Sequence, residues 1–598
     1  MAHHRLPNKK RSRIERARGV GIIPIGIAIA TTLAFLPTLR NGFVNYDDDR
    51  LLLHNPYLWL PWSGQLQWMW STTYMGHYQP LTWISLAIDH TLGGLAPFAY
   101  HLDSLLWHVT AALIFYNVLV TLLERTTVVR GEDRMFLRVC AAAGALFWSI
   151  HPLRVESVAW VAERRDLVSI VFLLLAVAAY LRSVDVGRVT PRSTRWLIVS
   201  CACLLLSLLA KAWGMTFVVT LIALDVYPLA RLPLGMQAIT DRRYRAVWFE
   251  KIPFALLGAA AAGVAWFAQH HEPDTMVSIA EWSWSARVLQ AAYGLCFYVW
   301  KTIWPTRLAV LYARPNVAGG WPLAFPVSLC IVFAAVIVIL RIVRRHPSIA
   351  VASLVYAATV APVLGLAQSG PQLVADRYAY VSALPFSALL AGALLTRPRQ
   401  RRWMAMVLAG CWLLALAAVT WNATQVWRDS ERLWGHALSV GHSSYTAEID
   451  YGQAVRGKGR IGEAIEHYRM ALQLEPDAGN AWYNLANALK ASGRLDEAER
   501  AYKTAIDRLA WKVDAQVNLG NLYFSRGQLP RAIEQYRAAT STLTHVPPAE
   551  FSPEPFLYLG IALGDSGDRP AARDALSIAA RYSATRARAL QELARLGS

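Results

Sequence analysis

The chain has 598 residues, of which 55% are hydrophobic and only 17% are charged, and its formal net charge is +19. Soluble globular proteins carry about 25% charged residues, so this composition, with its repeated apolar runs of about 20 residues, excludes a purely soluble enzyme and a disordered chain. The apolar runs stop near Trp421, and 422–598 holds 21 basic and 20 acidic residues. The positive charge therefore belongs to the apolar part, which disfavours nucleic-acid binding.

Eleven apolar segments predict a polytopic bundle of membrane helices, with an all-α fold throughout the chain. The predicted spans are 20–40, 102–124, 137–150, 166–182, 195–211, 214–230, 252–269, 323–341, 348–367, 378–396 and 403–421. The basic segments hold 27 Lys and Arg residues, at 5–18, 125–138, 182–195, 231–251, 341–345 and 397–402. Because such clusters in short loops mark the cytoplasmic side, we expect the N-terminus inside and the C-terminal part outside.

A further apolar stretch, 285–304, also has the length to cross the membrane. A crossing there would place the basic cluster at 341–345 outside, so we expect this stretch to be re-entrant or to lie at the outer interface. The first span follows a basic flank without a persuasive cleavage site, which predicts an uncleaved signal-anchor.

These patterns divide the chain into four predicted parts. They are a basic cytoplasmic N-terminus at 1–19, a membrane domain at 20–421 with its first extracytoplasmic loop at 41–100, a linker or partial helical repeat at 422–444 and a repeat domain at 445–598. The six cysteines all lie in apolar stretches, so neither a disulfide framework nor a zinc site is expected.

The C-terminal part repeats with a period of 34 residues after Tyr445. The recurring residues are Gly459, Gly493 and Gly527, then Ala464, Ala498 and Ala532, then Tyr468, Tyr502 and Tyr536. With a fourth unit beyond the insertion VPPAEFSPE, the pattern resembles about four tetratricopeptide repeats, each a pair of helices. The concave face of such a solenoid suits an extended peptide, and a spacer or oligomerisation module is an equal alternative.

Four polar motifs lie on the predicted outer side. They are FVNYDDDR with Asp47, Asp48 and Asp49, followed by GHYQPLTW with His77; HPLRVESVAWVAERRD at 151–166; Lys211 in LLAKAWGMTF; and ADRYAY with Asp376 and Arg377. If 151–166 is helical, Glu156 and Glu163 lie two turns apart on one face. The Trp and Tyr residues of 41–100 are typical of a membrane interface and also stack on sugar rings.

Charges beside apolar segments are costly, so each needs a partner or a function. Snorkelling or a salt bridge explains a single Arg, but four motifs on one side favour a site. Arg and Lys bind phosphate, a carboxylate accepts a proton from an alcohol, and cations stabilise a phosphate leaving group. The motifs therefore indicate glycosyl transfer from a lipid-phosphate sugar.

The sequence resembles the transmembrane and tetratricopeptide-repeat-containing protein O-mannosyltransferases, including bacterial relatives, which are lipid-donor glycosyltransferases of the GT-C fold. FVNYDDD, HYQPLTW, HPLRVESVAWVAERRD, DRYAY and the repeats occur in the family's order along nearly the whole chain. The resemblance implies a polyprenyl-phosphate sugar donor, usually mannose, and Ser or Thr acceptors on extracytoplasmic proteins. It also implies a bacterial cytoplasmic membrane, or an endoplasmic reticulum membrane in a eukaryote.

The resemblance assigns roles to the motif residues. Asp47 and Asp48 match the catalytic acid pair. The expected donor-phosphate contacts are Arg154, Arg164, Arg165, Lys211 and Arg377. The expected supporting residues are Asp49, His77, His151, Glu156, Glu163, Asp166 and Asp376. No cofactor is required; related folds sometimes hold a divalent cation near such acids, which leaves a cation at Asp47 and Asp48 open, although no His/Asp spacing demands a metal.

Two other classes compete with this hypothesis. A non-catalytic scaffold would use the repeats to recruit envelope proteins and the membrane part as an anchor, but an anchor needs only one span. A transporter would need polar groups at the bilayer midplane and internal symmetry, whereas the spans offer mainly Asp225. The expected partners are a lipid-linked sugar donor, a protein or peptide acceptor and membrane lipids, with no nucleic acid.

Overall fold

The computed structural model describes residues 9–126, 133–184, 191–272, 276–315, 320–368, 370–543 and 552–597. Helices make up most of these residues, and the chain divides into two compact units, Met1–Val440 and Gly441–Ser598. The all-helical prediction is confirmed. The start of the predicted basic N-terminus, at 1–8, and most of the proline-rich insertion, at 544–551, lie outside the described residues.

The first unit contains α-helices that run from the N-terminal span to the end of the membrane domain. They are α1 Lys9–Phe35, α2 Trp62–Ser71, α3 Pro80–Gly93, α4 Pro97–Thr126, α5 Asp133–Ser149, α6 Val155–Ala159, α7 Arg164–Val184, α8 Pro191–Ala210, α9 Phe217–Val226, α10 Gln237–Thr240, α11 Arg245–Phe249, α12 Ile252–His271, α13 Trp284–Ile303, α14 Ala324–Ile342, α15 Pro347–Val360, α16 Ala379–Ser382, α17 Leu384–Leu395, α18 Arg402–Val426 and α19 Ser430–Ser439.

Shorter elements connect these helices. The 3₁₀ turns are Leu36–Arg40, Pro56–Trp59, Tyr74–Gly76, Pro152–Arg154, Val161–Glu163, Ala212–Thr216, Arg242–Tyr244, Ala361–Val363, Asp376–Tyr378 and Arg399–Arg401, and Asp49–Leu53 is a π turn. Strands β1, Tyr312–Ala313, and β2, Gln372–Val374, pair antiparallel.

Local sequence fixes where several of these helices begin. Proline occupies the first turn of α3, α4, α8, α15 and α17, where its missing N–H costs no helical hydrogen bond. Side chains cap other helices: Ser283 Oγ accepts from Ala286 N at 3.3 Å before α13, and Asp429 Oδ1 accepts from Arg432 N at 3.0 Å before α19.

Seven helices in the described part of the chain are long and apolar enough to cross a membrane. They are Gly21–Arg40, Pro97–Thr126, Val161–Val184, Ser193–Ala210, Ile252–His271, Ala324–Ile342 and Arg399–Val426. Two bent pairs raise the number to nine if each is one span, and Ala212–Val226 and Pro347–Val363 are shorter apolar helices. Each of the eleven predicted spans overlaps one of these elements, and by this criterion the protein is an integral membrane protein.

The bent pairs lie at two of the polar motifs. Asp133–Ser149 and Pro152–Ala159 meet at 57°, and Asp376–Ser382 and Leu384–Leu395 meet at 54°. A second break follows at Trp160, whose φ of −96° and ψ of 119° are extended. The hypothesis that 151–166 forms one helix with Glu156 and Glu163 two turns apart on one face is therefore wrong.

Tertiary hydrogen bonds explain the break at Trp160. Its indole Nε1 donates to the carbonyl of Tyr46 at 2.8 Å, and the backbone N of Ala162 donates to Asp48 Oδ1 at 3.1 Å. A continuous helix would use the Ala162 N–H for the carbonyl four residues earlier. The Asp48 side chain takes that donor instead, so the break brings the first loop and the second motif together.

The stretch 285–304, predicted to be re-entrant or interfacial, forms one uninterrupted helix, α13. Among the described residues, α13 is not one of the helices that are long and apolar enough to span a membrane. Its polar residues are buried against the segment around 366–373. Arg287 donates to the carbonyl of Leu366 at 3.0 Å, and Gln290 Nε2 donates to Gln368 Oε1 at 2.7 Å and to the carbonyl of Leu373 at 3.0 Å. The polar face of α13 therefore packs on protein.

Asp225, the acid noted inside a predicted span, is fully paired. Its carboxylate lies 2.7 Å from Lys251 Nζ and 3.3 Å from an Arg231 guanidinium nitrogen, and it accepts from the Tyr180 hydroxyl at 2.7–2.8 Å. Glu250 pairs with the same arginine at 2.7 Å. Two cations and two carboxylates balance, so this buried network holds the segment after α9 against α7.

The second unit consists of four helix pairs and a final helix. They are α20 Tyr445–Gly457 with α21 Ile461–Leu474, α22 Gly479–Ala491 with α23 Leu495–Arg508, α24 Val513–Ser525 with α25 Leu529–Leu543, α26 Glu554–Asp565 with α27 Arg569–Ala579, and α28 Ser583–Gly597. The prediction of about four tetratricopeptide repeats is confirmed.

The 34-residue period has a physical basis in packing and turns. Ala464, Ala498 and Ala532 are each 0% exposed, which lets the second helices approach their partners closely. Gly459 and Gly493 lie between the paired helices with φ of 82° and 78°, a left-handed conformation that favours glycine. The recurring residues are therefore those that close each helical hairpin.

Close packing at Gly520 gives a stability prediction. A Cβ added there would lie 2.5 Å from Cε1 of Tyr536, which is buried. We expect Gly520→Ala to lower the free energy of unfolding of the repeat unit by about 1–3 kcal/mol, measured by hydrogen exchange of α24 and α25 in the full-length protein. Gly462→Ala is the control, because no atom lies within 4 Å of its added Cβ. Equal protection in both variants would contradict the packing argument.

Candidate functional site

The loop after the first span is held against the last membrane helix. The Asn41 side chain donates to the carbonyl of Thr424 at 3.0 Å, and the backbone N of Gly42 donates to the carbonyl of Arg428 at 2.9 Å. The Trp434 indole donates to the Asn45 side chain at 2.9 Å. These contacts fix the backbone that leads directly into the acidic triplet.

The three acids of the triplet have different environments. Asp48 is 1% exposed, and its two carboxylate oxygens accept from the backbone N of Val44 and of Ala162, each at 3.1 Å. Asp49 accepts from the backbone N of its neighbour at 2.8 Å. Asp47 has a φ of 67°, which is uncommon outside glycine, and it lines a cavity. The strained backbone turns Asp47 away from its buried neighbour.

That cavity has a volume of about 470 Å³ and is lined by charged, amide and aromatic side chains. It brings together residues from every one of the four motifs: Asp47, His77, Arg165, Lys211 and Arg377. The amides include Gln79, Gln269, Gln290, Gln368 and Gln372, and the aromatic residues include Tyr46, Trp160 and Tyr378. Gln79 belongs to the motif GHYQPLTW, but the other four glutamines were not predicted from the sequence, because an isolated Gln in a loop or helix has no distinctive spacing.

Glu163 is the centre of the charge cluster beside the cavity. It is fully buried, its two oxygens accept from Arg165 at 2.7 and 3.1 Å, and it lies 2.7 Å from Lys211 Nζ and 3.2 Å from Arg377 Nε. Lys211 also pairs with Asp166 at 2.7 Å. One carboxylate therefore aligns three cations, which keep 12%, 18% and 7% side-chain exposure in the order Arg165, Lys211, Arg377.

Arg377 connects the broken second motif to the fourth motif. Its guanidinium pairs with Glu156, whose other oxygen accepts from the Arg377 backbone N at 2.8 Å. The guanidinium carbon lies 5.4 Å from the ring centroid of Trp160, which is stacked on Tyr46 with centroids 4.6 Å apart. Glu156 and Glu163 thus share one arginine, although they do not share a helix face.

Arg154 and Arg164 lie outside the cavity lining, against the prediction that they contact donor phosphate. Arg154 is 1% exposed and donates to the carbonyl of Ala379. Arg164 is 0% exposed and pairs with Asp103 and, at 2.8 Å, with Asp89. Arg164 is occupied by protein acceptors and Arg154 is buried against the carbonyl of Ala379, so we remove both from the proposed donor contacts.

Two supporting residues also face protein. His151 is 1% exposed, and one ring nitrogen bonds the carbonyl of Thr302 at 3.0 Å while the other accepts from the backbone N of Leu153 at 3.2 Å. Asp376 is 5% exposed and accepts from the Tyr312 hydroxyl at 3.0 Å. These contacts fix the two helix bends and do not reach the cavity lining.

Burial and charge shift the pKa of groups on the outer loop. Burial raises the pKa of Asp47 above its ordinary 3.8, and the nearby Arg165 and Arg377 oppose the rise. Burial raises the pKa of Asp48 to about 8, and the hydrogen bonds from the backbone N of Val44 and Ala162 oppose this rise. Burial and the neighbouring cations lower the pKa of His77 well below 6.5, so its ring is neutral at pH 7.

The shift at Asp47 predicts a pH dependence. A carboxylate that accepts a proton must be ionised, so transfer should fall as the pH falls through a pKa above 3.8. Arg165→Gln removes a cation that lowers this pKa, and we expect the acid limb of kcat/KM to move to higher pH. An acid limb at the same pH in both proteins would contradict the electrostatic link.

The acid pair offers a divalent cation one cavity-lining carboxylate, that of Asp47. Both oxygens of Asp48 already accept backbone N–H bonds, and only Asp47 of the pair lines the cavity. Among the described residues, no group of three or more His, Cys, Asp or Glu side chains is arranged to hold a metal ion.

Known proteins are similar to this chain in both the membrane unit and the repeat unit. Tetratricopeptide-repeat family models match 456–509 and 483–544. The chain is 25% identical over 526 residues to Protein O-mannosyl-transferase TMTC1 of Homo sapiens, a match that covers 79% of this chain and 57% of that protein. It is 35% identical over 152 residues to Protein O-mannosyl-transferase Tmtc3 of Drosophila melanogaster, covering 23% of this chain and 16% of that protein.

Among solved structures, ArnT from Cupriavidus metallidurans bound to undecaprenyl phosphate has 16% sequence identity and a TM-score of 0.35, covering 82% of this chain and 81% of that chain. The chain spans less than two thirds of the length of the two relatives named above. It is thus a relative, over most of its own length, of proteins named protein O-mannosyl-transferases, and it ends in tetratricopeptide repeats.

Proposed function

We propose that this protein is a membrane glycosyltransferase of the GT-C type that moves a sugar, mannose by analogy with the names of its relatives, from a polyprenyl phosphate to Ser or Thr hydroxyls of proteins. The observation that carries the proposal is the convergence of the Asp47 carboxylate and the cations Arg165, Lys211 and Arg377 on one cavity beside the membrane helices, which the ion pair of Arg50 and Glu272 also lines. The cations can bind the phosphate of the donor, and the carboxylate can accept the proton of the acceptor hydroxyl.

In the proposed reaction, Asp47 is the general base. The acceptor hydroxyl oxygen attacks C1 of the sugar, and its proton passes to the Asp47 carboxylate. The bond between C1 and the phosphate oxygen breaks, the electron pair stays on that oxygen, and polyprenyl phosphate leaves. Attack opposite the leaving group inverts the configuration at C1.

The cations would stabilise the leaving phosphate. Lys211 and Arg165 keep the most exposure toward the cavity, so they suit direct contact with phosphate oxygens. Arg377 is held by Glu156 and Glu163 and supplies positive potential from a fixed position. The stacked pair Tyr46 and Trp160 and the cavity amides suit the ring and hydroxyls of a sugar.

We further propose that the repeats present the acceptor protein and that the cavity and repeats face the compartment opposite the cytosol. The basic segments between predicted spans support this orientation. The repeat unit offers the concave solenoid surface on which extended peptides bind.

The test is mass spectrometry of glycosylated envelope proteins from cells that make the wild-type protein, the Asp47→Asn variant or neither. The proposal expects hexose on Ser or Thr residues only with the wild-type protein. Glycans that persist in all three strains would refute it. If proteins captured by the repeats and their glycans are unchanged by Asp47→Asn, the scaffold alternative is favoured.

A further inference from the structure

A second cavity lies among helices of the first unit, apart from the site above. Its volume is about 630 Å³, and apolar residues of α5, α13, α17 and α18 form its walls. This cavity is an open groove, and one face of α18, which includes Leu408, Ala409 and Trp412, lines it. Leu408 is 67% exposed and Trp412 is 43% exposed, so this face is not covered by protein.

The charge in this groove is confined to one end. Arg397 follows α17 and Arg401 precedes α18, and both line the groove. Among the residues that the structure describes, neither guanidinium forms an ion pair, whereas the nearby Arg402 pairs with Asp133 at 2.6 Å. The third polar lining residue, Thr302, donates its hydroxyl to the carbonyl of Tyr298 at 2.7 Å. The two arginines therefore supply the groove's unmatched charge.

The length of the groove fits one lipid leaflet. From Phe386 to Leu394 on α17 and from Met404 to Leu413 on α18, the apolar walls extend about 12–14 Å at a rise of about 1.5 Å per residue. Half of a hydrocarbon core of about 30 Å is about 15 Å. A chain lying in this groove would therefore start at the arginines and end near the bilayer centre.

We propose that this groove is a binding site for one anionic phospholipid of the leaflet on the Arg397 side. Its phosphate lies between Arg397 and Arg401, and an acyl chain lies along α17 and α18. Arginine binds phosphate oxygens through paired N–H donors, and basic pockets between membrane helices select anionic headgroups. The site does not depend on the proposed sugar transfer, since Asp47, Arg165 and Lys211 do not line it.

Lipid retention by the full-length protein tests this proposal. The protein is reconstituted in vesicles of phosphatidylcholine with added phosphatidylglycerol, extracted in detergent and analysed by native mass spectrometry. We expect one retained phosphatidylglycerol and about 30-fold weaker retention in the Arg397→Gln/Arg401→Gln double variant, since each basic residue contributes about a factor of five. Ala409→Leu should reduce retention while keeping both charges, because its larger side chain fills the groove.

The matched control is Arg344→Gln/Arg345→Gln, which removes two exposed arginines from another basic cluster. It should retain phosphatidylglycerol like the wild type. Equal retention in the double variant, equal loss in the control, or retention of phosphatidylcholine in place of phosphatidylglycerol would overturn the proposal.

Discussion

Asp47→Asn should lower the rate of sugar transfer by about 100- to 10,000-fold, the usual contribution of a general base. Asn has the same size and carbon skeleton as Asp, but its amide cannot accept the proton of the acceptor hydroxyl. Because the side chain of Asp47 lines the cavity, we expect the Asn variant to fold and to bind the donor lipid. The measurement is the initial rate of transfer to an acceptor peptide, normalised to folded protein.

The neighbouring acids are matched controls for this result. Asp49→Asn should retain transfer, since Asp49 accepts only from the next backbone N. Asp48→Asn should instead lower the free energy of unfolding by about 1–3 kcal/mol, because an amide offers one acceptor where the carboxylate serves two backbone donors. Wild-type rates in Asp47→Asn, with loss only in Asp48→Asn, would reverse the assignment of the base.

Glu163→Gln should be the most destabilising single change at the site. It removes the buried charge that faces Arg165, Lys211 and Arg377, and breaking a buried ion pair from one side costs about 3–5 kcal/mol. Lys211 keeps Asp166 as a partner, but Arg165 loses one of the two oxygens to which it donates, because the amide nitrogen of Gln is a donor. We expect a lower thermal midpoint of the full-length protein and no measurable sugar transfer.

The control for Glu163 is an exposed ion pair in the same unit. Asp241 pairs with Arg243, whose side chain is 80% exposed, so Asp241→Asn should leave the thermal midpoint nearly unchanged. If Glu163→Gln unfolds at the same temperature as Asp241→Asn, the cations do not depend on Glu163 for their position.

Much of the fold was predictable because it depends on periodic patterns. The 34-residue period placed Gly459, Ala464 and Tyr468 at the turn and packing positions where the structure has them. The apolar segments coincide with the helices that can span a membrane. These properties depend on local sequence, so they can be predicted without information on distant contacts.

The sequence predicts which site residues meet, but it does not predict the helix break or which arginines are buried, because these depend on contacts between distant parts of the chain. The motifs indicated that Asp47, Arg165, Lys211 and Arg377 meet, and the cavity brings them together. The break at Trp160 follows from hydrogen bonds to residues more than 100 positions away. The same kind of distant contact buries Arg154, so a motif position alone did not separate structural from cavity arginines.

Lys211 shows the same limit in the opposite direction. A single Lys between two apolar segments gives little sequence evidence for a site. In the structure it pairs with both Glu163 and Asp166 and lines the cavity. Its position depends on how α7 and α8 pack, which the residues around it do not encode.

The most direct test of the proposed activity uses the purified full-length protein, a synthetic polyprenyl-phosphate mannose and a Ser/Thr peptide. The account predicts that the wild type releases polyprenyl phosphate as mannose appears on the peptide with inverted configuration at C1, and that Asp47→Asn releases almost none. Transfer at the wild-type rate by Asp47→Asn, or a product with retained configuration, would contradict a base at Asp47 acting in a single displacement.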